Sequence, residues 1–147
     1  MAGEDAPPTV LLGALKDIHN LGLMILSHAL GKAGFHVVNA GAALEQEDFV
    51  NAAIETGASA ILVSSTYGHA QIDAQGFRDR CVEAGIDDVL LYIGGNLAVT
   101  RQSQRWEDIE AVFKAAGFDR AYPQEAVISS VIDDLRADLA SDRAATR

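Results

Sequence analysis

Apolar positions along the chain alternate between short unbroken runs and longer stretches in which they recur every three or four residues. The run Thr9–Leu15, rich in Val and Leu, predicts a buried strand, and after a polar loop Leu21–Ala33 predicts a helix closed by Gly34. Phe35–Asn39 follows with the length of a second strand. From Glu45 the pattern is helical, with Phe49, Val50, Ala53 and Ile54 on one face and Glu47, Asp48 and Glu55 off it, and Gly57 ends the segment. Ser59–Ser65 is the clearest buried strand. Ile72, Gly76, Phe77, Cys81 and Ala84 mark the inner stripe of one further helix, and Asp88–Ile93 reads as a strand before the Gly94-Gly95 turn. Trp106, Ile109, Phe113 and Ala116 repeat at helical spacing, and Phe118–Tyr122 is a brief last strand. Val127, Ile128, Val131, Ile132, Leu135 and Leu139 define a final amphipathic helix.

Five strands alternating with five helices predict a doubly wound, flavodoxin-like parallel sheet with helices on both faces and strand order 2-1-3-4-5, because right-handed crossovers place helices on each face. Residues 1–8, small, acidic and proline-containing, are expected to be a disordered leader, 9–140 the domain, and 141–147 a frayed tail. Ligands of such sheets bind beyond the carboxyl ends of the strands where strand order reverses, here between strands 1 and 3. That rule selects three loops: 16–22, 64–71 and 94–102.

The 147 residues are enough for one domain with a full core, and the 49% hydrophobic content agrees. A net charge of −10 opposes nucleic acid or an anionic membrane as partner, since both require a basic face. Cys81 is the only cysteine, so there is no intrachain disulfide and no cysteine cluster for zinc. The start, MAGEDAPPTV, lacks a basic region followed by an apolar run, and no apolar segment is long enough to span a bilayer, so a cytoplasmic protein is expected.

The three loops narrow the chemistry. A flavin-phosphate site would need a loop rich in Ser, Thr and Gly after strand 1, and this loop has one glycine and no hydroxyl. A phospho-receiver would need an aspartate at the end of strand 3, which here reads Val63-Ser64-Ser65-Thr66. There is no Gly-x-Gly-x-x-Gly fingerprint and no Walker loop. The first loop instead carries Asp17 two residues before His19. In an extended segment the two share a side, so the carboxylate can accept the Nδ1 proton and leave Nε2 free to bind a metal. Gly22, at the helix entrance, allows a large planar ligand to approach the backbone. On these residues alone, a solvent-facing His19 with Asp17 as a helix cap is an equal reading.

Asp17-x-His19-x-x-Gly22, then 41 residues to Ser64-x-Thr66, then 27 to Gly94-Gly95, resembles the pattern of cobalamin-binding domains, and its three pieces fall on the three selected loops. The resemblance runs from Val10 to Leu139 and is closest to the small subunits of glutamate mutase (methylaspartate mutase) type. It is carried by Ala33–Asn39, Ala52–Thr56, Ala60–Ser65, Leu90–Asn96 and Asp119-Arg120. It implies adenosylcobalamin bound base-off, with His19 as the lower cobalt ligand and Asp17 holding the imidazole. It also implies that Lys16, Ile18 and Asn20 line the same loop, and that Ser64, Ser65 and Thr66 meet the detached nucleotide tail in a groove beside the first helix. Gly94 and Gly95 would leave space for that tail, with Asn96, Leu97, Ala98, Val99 and Thr100 running alongside. Two positions depart from the family: Thr66 stands where a leucine is usual, and Pro123-Gln124-Glu125-Ala126 replaces a Pro-Gly-Thr.

By the same resemblance the chain is one subunit of a radical carbon-skeleton isomerase, and a larger barrel-type subunit would bind the substrate and supply the catalytic side chains, none of which is assigned here. Other readings are the corrinoid subunit of a different mutase or of a methyltransferase, a cobalamin sensor or carrier, and an interaction domain with no ligand. His69 reads as an exposed loop residue, with a place facing the corrin as the alternative; His28 and His36 read as structural, Cys81, Trp106 and Phe113 as core, and Glu107-Asp108 and Asp133-Asp134 as solvated faces, the latter with a basic partner as the alternative.

Overall fold

A computed structural model describes residues 6–17, 21–65, 70–95, 97 and 105–145, with side chains described in all of these except Leu21 and 142–145. Five strands, β1 (Thr9–Ala14), β2 (His36–Asn39), β3 (Ala60–Ser65), β4 (Leu90–Gly95) and β5 (Arg120–Tyr122), form one parallel sheet in the order β2-β1-β3-β4-β5. This is the order the sequence predicts. The register places Ala14 beside Ser64 and Ser64 beside Gly94, so the carboxyl ends of β1, β3 and β4 finish level with one another.

Alternation along the strands divides the core in two. Leu11, Ile61, Val63, Leu91 and Ile93 point to one face, where α2 (Gln46–Thr56), α4 (Phe77–Glu83) and α5 (Trp106–Ala115) contribute Phe49, Phe77 and Phe113. Val10, Leu12, Leu62 and Tyr92 point to the other, covered by α1 (Leu21–Lys32) through Leu23 and Leu30 and by α6 (Ile128–Ala145) through Val131, Leu135 and Leu139. Burial on both faces explains why the strands read as unbroken apolar runs. Phe77 is the hub of the first core: its ring centroid lies 5.5 Å from that of Phe49 and 5.9 Å from that of Phe118. Among the described residues no helix is long and apolar enough to cross a membrane.

Several details differ from the sequence pattern. The predicted third helix is two: α3 (Ala70–Asp73) ends at a turn in which Gly76 takes φ +76°, and α4 starts afresh at Phe77. Ile72, placed on an inner stripe by periodicity, is consequently 67% exposed. Ile54 and Val127 are exposed as well, Ile54 because the buried arc of α2 stops at Phe49, Val50 and Ala53, and Val127 because α6 begins one residue after it. The last helix also continues past residue 140, to Ala145. His28 and His36 are exposed, and His36 Nδ1 lies 3.1 Å from the Thr9 hydroxyl across the β1–β2 edge.

Candidate functional site

The carboxyl edge of the sheet is where side chains become small. On the α1/α6 face, Leu62 is followed two residues later by Ser64, Tyr92 by Gly94, and Leu12 by Ala14. The sheet therefore stops filling the layer beneath the two helices, and a cavity of about 300 Å³ opens there. Its floor is Leu62, Val63, Ser64, Gly94 and Gly95. One wall is the first turns of α1, with Gly22, Leu23, Ile25 and Leu26; the other is the β5–α6 connection and α6, with Gln124, Ala126, Ile128 and Val131. Most of these groups are apolar, so the groove suits a flat, largely apolar body with a few polar atoms at its edge.

The two floor glycines do different work. A Cβ on Gly94 would meet nothing closer than the Tyr122 Cβ at 3.6 Å and would stand in the groove. Gly95 has φ +116°, and a Cβ there would lie 2.2 Å from the Ser65 carbonyl oxygen. Gly95 is thus required by the backbone, and Gly94 is the residue that keeps the floor open. Gly22 has open space around its Cβ position.

The loop after β1 is held from behind. The Leu15 amide donates to the Ser64 carbonyl at 2.9 Å, the Lys16 amide to the Leu44 carbonyl at 2.7 Å, and the Ala43 amide to the Asp17 carbonyl at 2.7 Å. Lys16 accepts a left-handed backbone, φ +50°, to make this turn, and its ammonium reaches Glu45 at 3.8 Å and Asp73 at 3.9 Å. The next residue, Asp17, is buried at 1% exposure. A carboxylate withdrawn from water at the edge of a ligand cleft needs polar partners, and this geometry is the setting expected for a group that orients a neighbour.

Of the residues singled out from sequence, Gly22, Ser64, Gly94 and Gly95 are brought together in the groove, and Lys16 and Asp17 sit at the same edge of the sheet. Ser65 and Leu97 are not in it. Ser65 is buried, and Leu97 is packed into the core against α2, α4 and α5. Ile18, His19, Asn20, Thr66, His69, Asn96, Ala98, Val99 and Thr100 lie outside the described residues. Among the described residues no group of three His, Cys, Asp or Glu side chains could hold a metal. Ile25 and Leu26 on α1, and Ile128 and Val131, which periodicity marks only as apolar positions of the last helix, are groove residues that the sequence does not assign to a ligand. The available signal is α1 itself, whose opening Leu-Gly-Leu-Met-Ile-Leu is apolar all round and leaves Ile25 53% exposed beside the cleft.

Fold and groove together define a class: a doubly wound domain that holds a sizeable ligand over the carboxyl ends of β3 and β4. A model of the B12 binding domain matches residues 8–126. The glutamate mutase sigma subunit of Carboxydothermus hydrogenoformans is 48% identical over 131 residues, covering 88% of this chain and 94% of that protein. That of Clostridium tetani is 49% identical over 132 residues, covering 89% and 95%. In fold, the chain is similar to a cobalamin-binding protein from Desulfitobacterium hafniense, with a TM-score of 0.68 at 19% identity over 88% of this chain and 58% of that one. The chain belongs to the B12-binding domain family and, within it, to the glutamate mutase sigma subunits.

Proposed function

We propose that this chain is the cobalamin-holding subunit of a glutamate-mutase-type isomerase, acting on glutamate in the carbon-skeleton rearrangement to 3-methylaspartate together with a separate, larger catalytic subunit. The observation that carries the reading is the groove beside α1, floored by Ser64 and Gly94. Gly22, Ser64, Gly94 and Gly95 of the sequence motifs line it, in a chain similar along most of its length to sigma subunits.

The residues present fit the group. An apolar cleft of about 300 Å³, with a glycine where any side chain would intrude, accommodates an extended nucleotide tail. The hydroxyl of Ser64 on the floor offers that tail a donor and an acceptor. Asp17, buried one residue beyond the strained Lys16, would accept a hydrogen bond from Nδ1 of His19 and leave Nε2 free to hold cobalt. By their place in the motifs, Ile18, Asn20, Thr66, Asn96, Ala98, Val99 and Thr100 would contribute to the same site. In its adenosyl form the bound cofactor supplies a carbon radical by homolysis of its cobalt–carbon bond. The work of this chain is to hold, orient and shield. The catalytic partner, of barrel type, would close over the cofactor at the carboxyl edge of the sheet and bind the amino acid, in the cytoplasm.

The test is electron paramagnetic resonance of cob(II)alamin with the wild-type chain and with His19→Ala. Ligation by His19 predicts nitrogen splitting that persists when the cofactor's own base is isotopically labelled and disappears in the variant. A wild-type spectrum of ordinary base-on form would refute the reading.

A further inference from the structure

The wall of the groove on the α6 side rests on a polar clamp. Tyr122, the last residue of β5, pairs in register with Gly94 on the groove floor, and its hydroxyl donates to an Asp134 carboxylate oxygen at 2.7 Å. Arg120, two residues back on the same strand, donates through Nε to Asp138 at 2.7 Å and through a terminal nitrogen to the other Asp138 oxygen at 2.9 Å. It also lies 3.7 Å from Asp134. Tyr92 donates its hydroxyl to Asp138 from β4. On α6 the sequence of contacts climbs in steps of three and four residues, so the residues share a side of the helix: Ile128 and Val131 in the groove, Asp134 on Tyr122, Asp138 on Arg120 and Tyr92.

Two acids on a helix face that otherwise packs Val131, Leu135 and Leu139 against a sheet are an expensive way to obtain adhesion, since apolar contact would supply that without desolvating charge. What hydrogen-bonded acids add is direction. Apolar side chains tolerate a small rotation or slide of α6, whereas the Tyr122 hydroxyl fixes the helix at Asp134, one turn from Val131. The near end of the clamp is therefore placed to set the separation of Ile128 and Val131 from α1.

We infer that Tyr122 and Asp134 are positioning residues that fix the far wall of the groove and so give the chain its preference for corrinoids carrying a nucleotide tail over those lacking one. This rests on the function proposed above. The Tyr92–Arg120–Asp138 end, a full turn further from the groove, holds the helix without setting the groove's width.

The experiment compares equilibrium binding of aquocobalamin and of cobinamide, the same corrin without its tail, to the full-length wild type, Tyr122→Phe and Tyr92→Phe. Tyr122→Phe is expected to weaken cobalamin by about tenfold, the scale of one hydrogen bond to a charged group, while cobinamide changes by less than about twofold. Tyr92→Phe should lower the melting temperature and leave the ratio of the two affinities at the wild-type value. If Tyr122→Phe does not fold, Asp134→Asn is measured in its place. Equal losses for both corrinoids, an unchanged ratio in Tyr122→Phe, or an equal change of ratio in Tyr92→Phe overturns the inference. A wild type that does not prefer cobalamin to cobinamide overturns the proposed function first, which keeps the two failures apart.

Discussion

Gly94 and Gly95 are adjacent in sequence and opposite in consequence. Gly94→Val is expected to leave folding stability within about 1 kcal/mol, since Gly94 has an ordinary strand backbone and the nearest atom, on Tyr122, is at contact distance. It should nevertheless abolish cobalamin binding measured by equilibrium dialysis, because the isopropyl group stands in the groove. Gly95→Ala should destabilise the chain by about 2 kcal/mol or more in urea titration, because its φ of +116° and the Ser65 carbonyl both exclude a Cβ. A sequence reading assigns both glycines to the ligand because both belong to one motif. Only the backbone distances separate them. Ser64 and Ser65 divide in the same way: strand alternation sends Ser64 to the groove face and Ser65 into the buried side.

Charged hydrogen bonds through Asp134 and Asp138 tie α6 to the sheet. The Arg120 hydrogen bonds hold the Asp138 carboxyl below the usual carboxylate range; partial burial opposes this and the Tyr92 hydroxyl adds to it. The Tyr92 hydroxyl is pushed up, chiefly by burial and then by its bond to Asp138. Because the folded value for Asp138 lies below the unfolded one, its stabilising contribution is complete above the unfolded value near pH 4 and is lost as pH falls through the folded value. Urea midpoints of wild type and Asp138→Asn should thus differ most at neutral pH and converge in acid. Asp134 reads from sequence as part of an acidic pair that is solvated or meets a basic partner, and within the chain it is bound to Tyr122 and close to Arg120. No spacing rule reveals this, because the partners lie on β5, twelve and fourteen residues earlier. The break between α3 and α4 escaped the periodic pattern for a different reason. Ile72, Phe77 and Cys81 are spaced as on one helix, but the left-handed Gly76 between them resets the helical phase.

For the molecule as a whole, the sheet separates a packing core from a ligand layer. Phe77 belongs to the first, with Phe49 and Phe118, and none of these lines the groove. Phe77→Leu should cost about 1 to 1.5 kcal/mol in urea titration. Cobalamin affinity of the folded variant should match wild type, which binding at low urea would check.

The sequence by itself determined the order and type of the main elements and the topology, and from these the edge of the sheet at which a ligand is expected. Those features follow from local periodicity and from the handedness of crossovers, which act on every such chain alike. Tertiary structure alone decided that small residues at the ends of β1, β3 and β4 coincide, that α1 and α6 stand on either side of the gap, and that Tyr122 and Asp134 tie one wall in place. A groove drawn from residues 22 to 131 has no local signature, because its dimensions are set by how two helices rest on a sheet whose side chains run out beneath them.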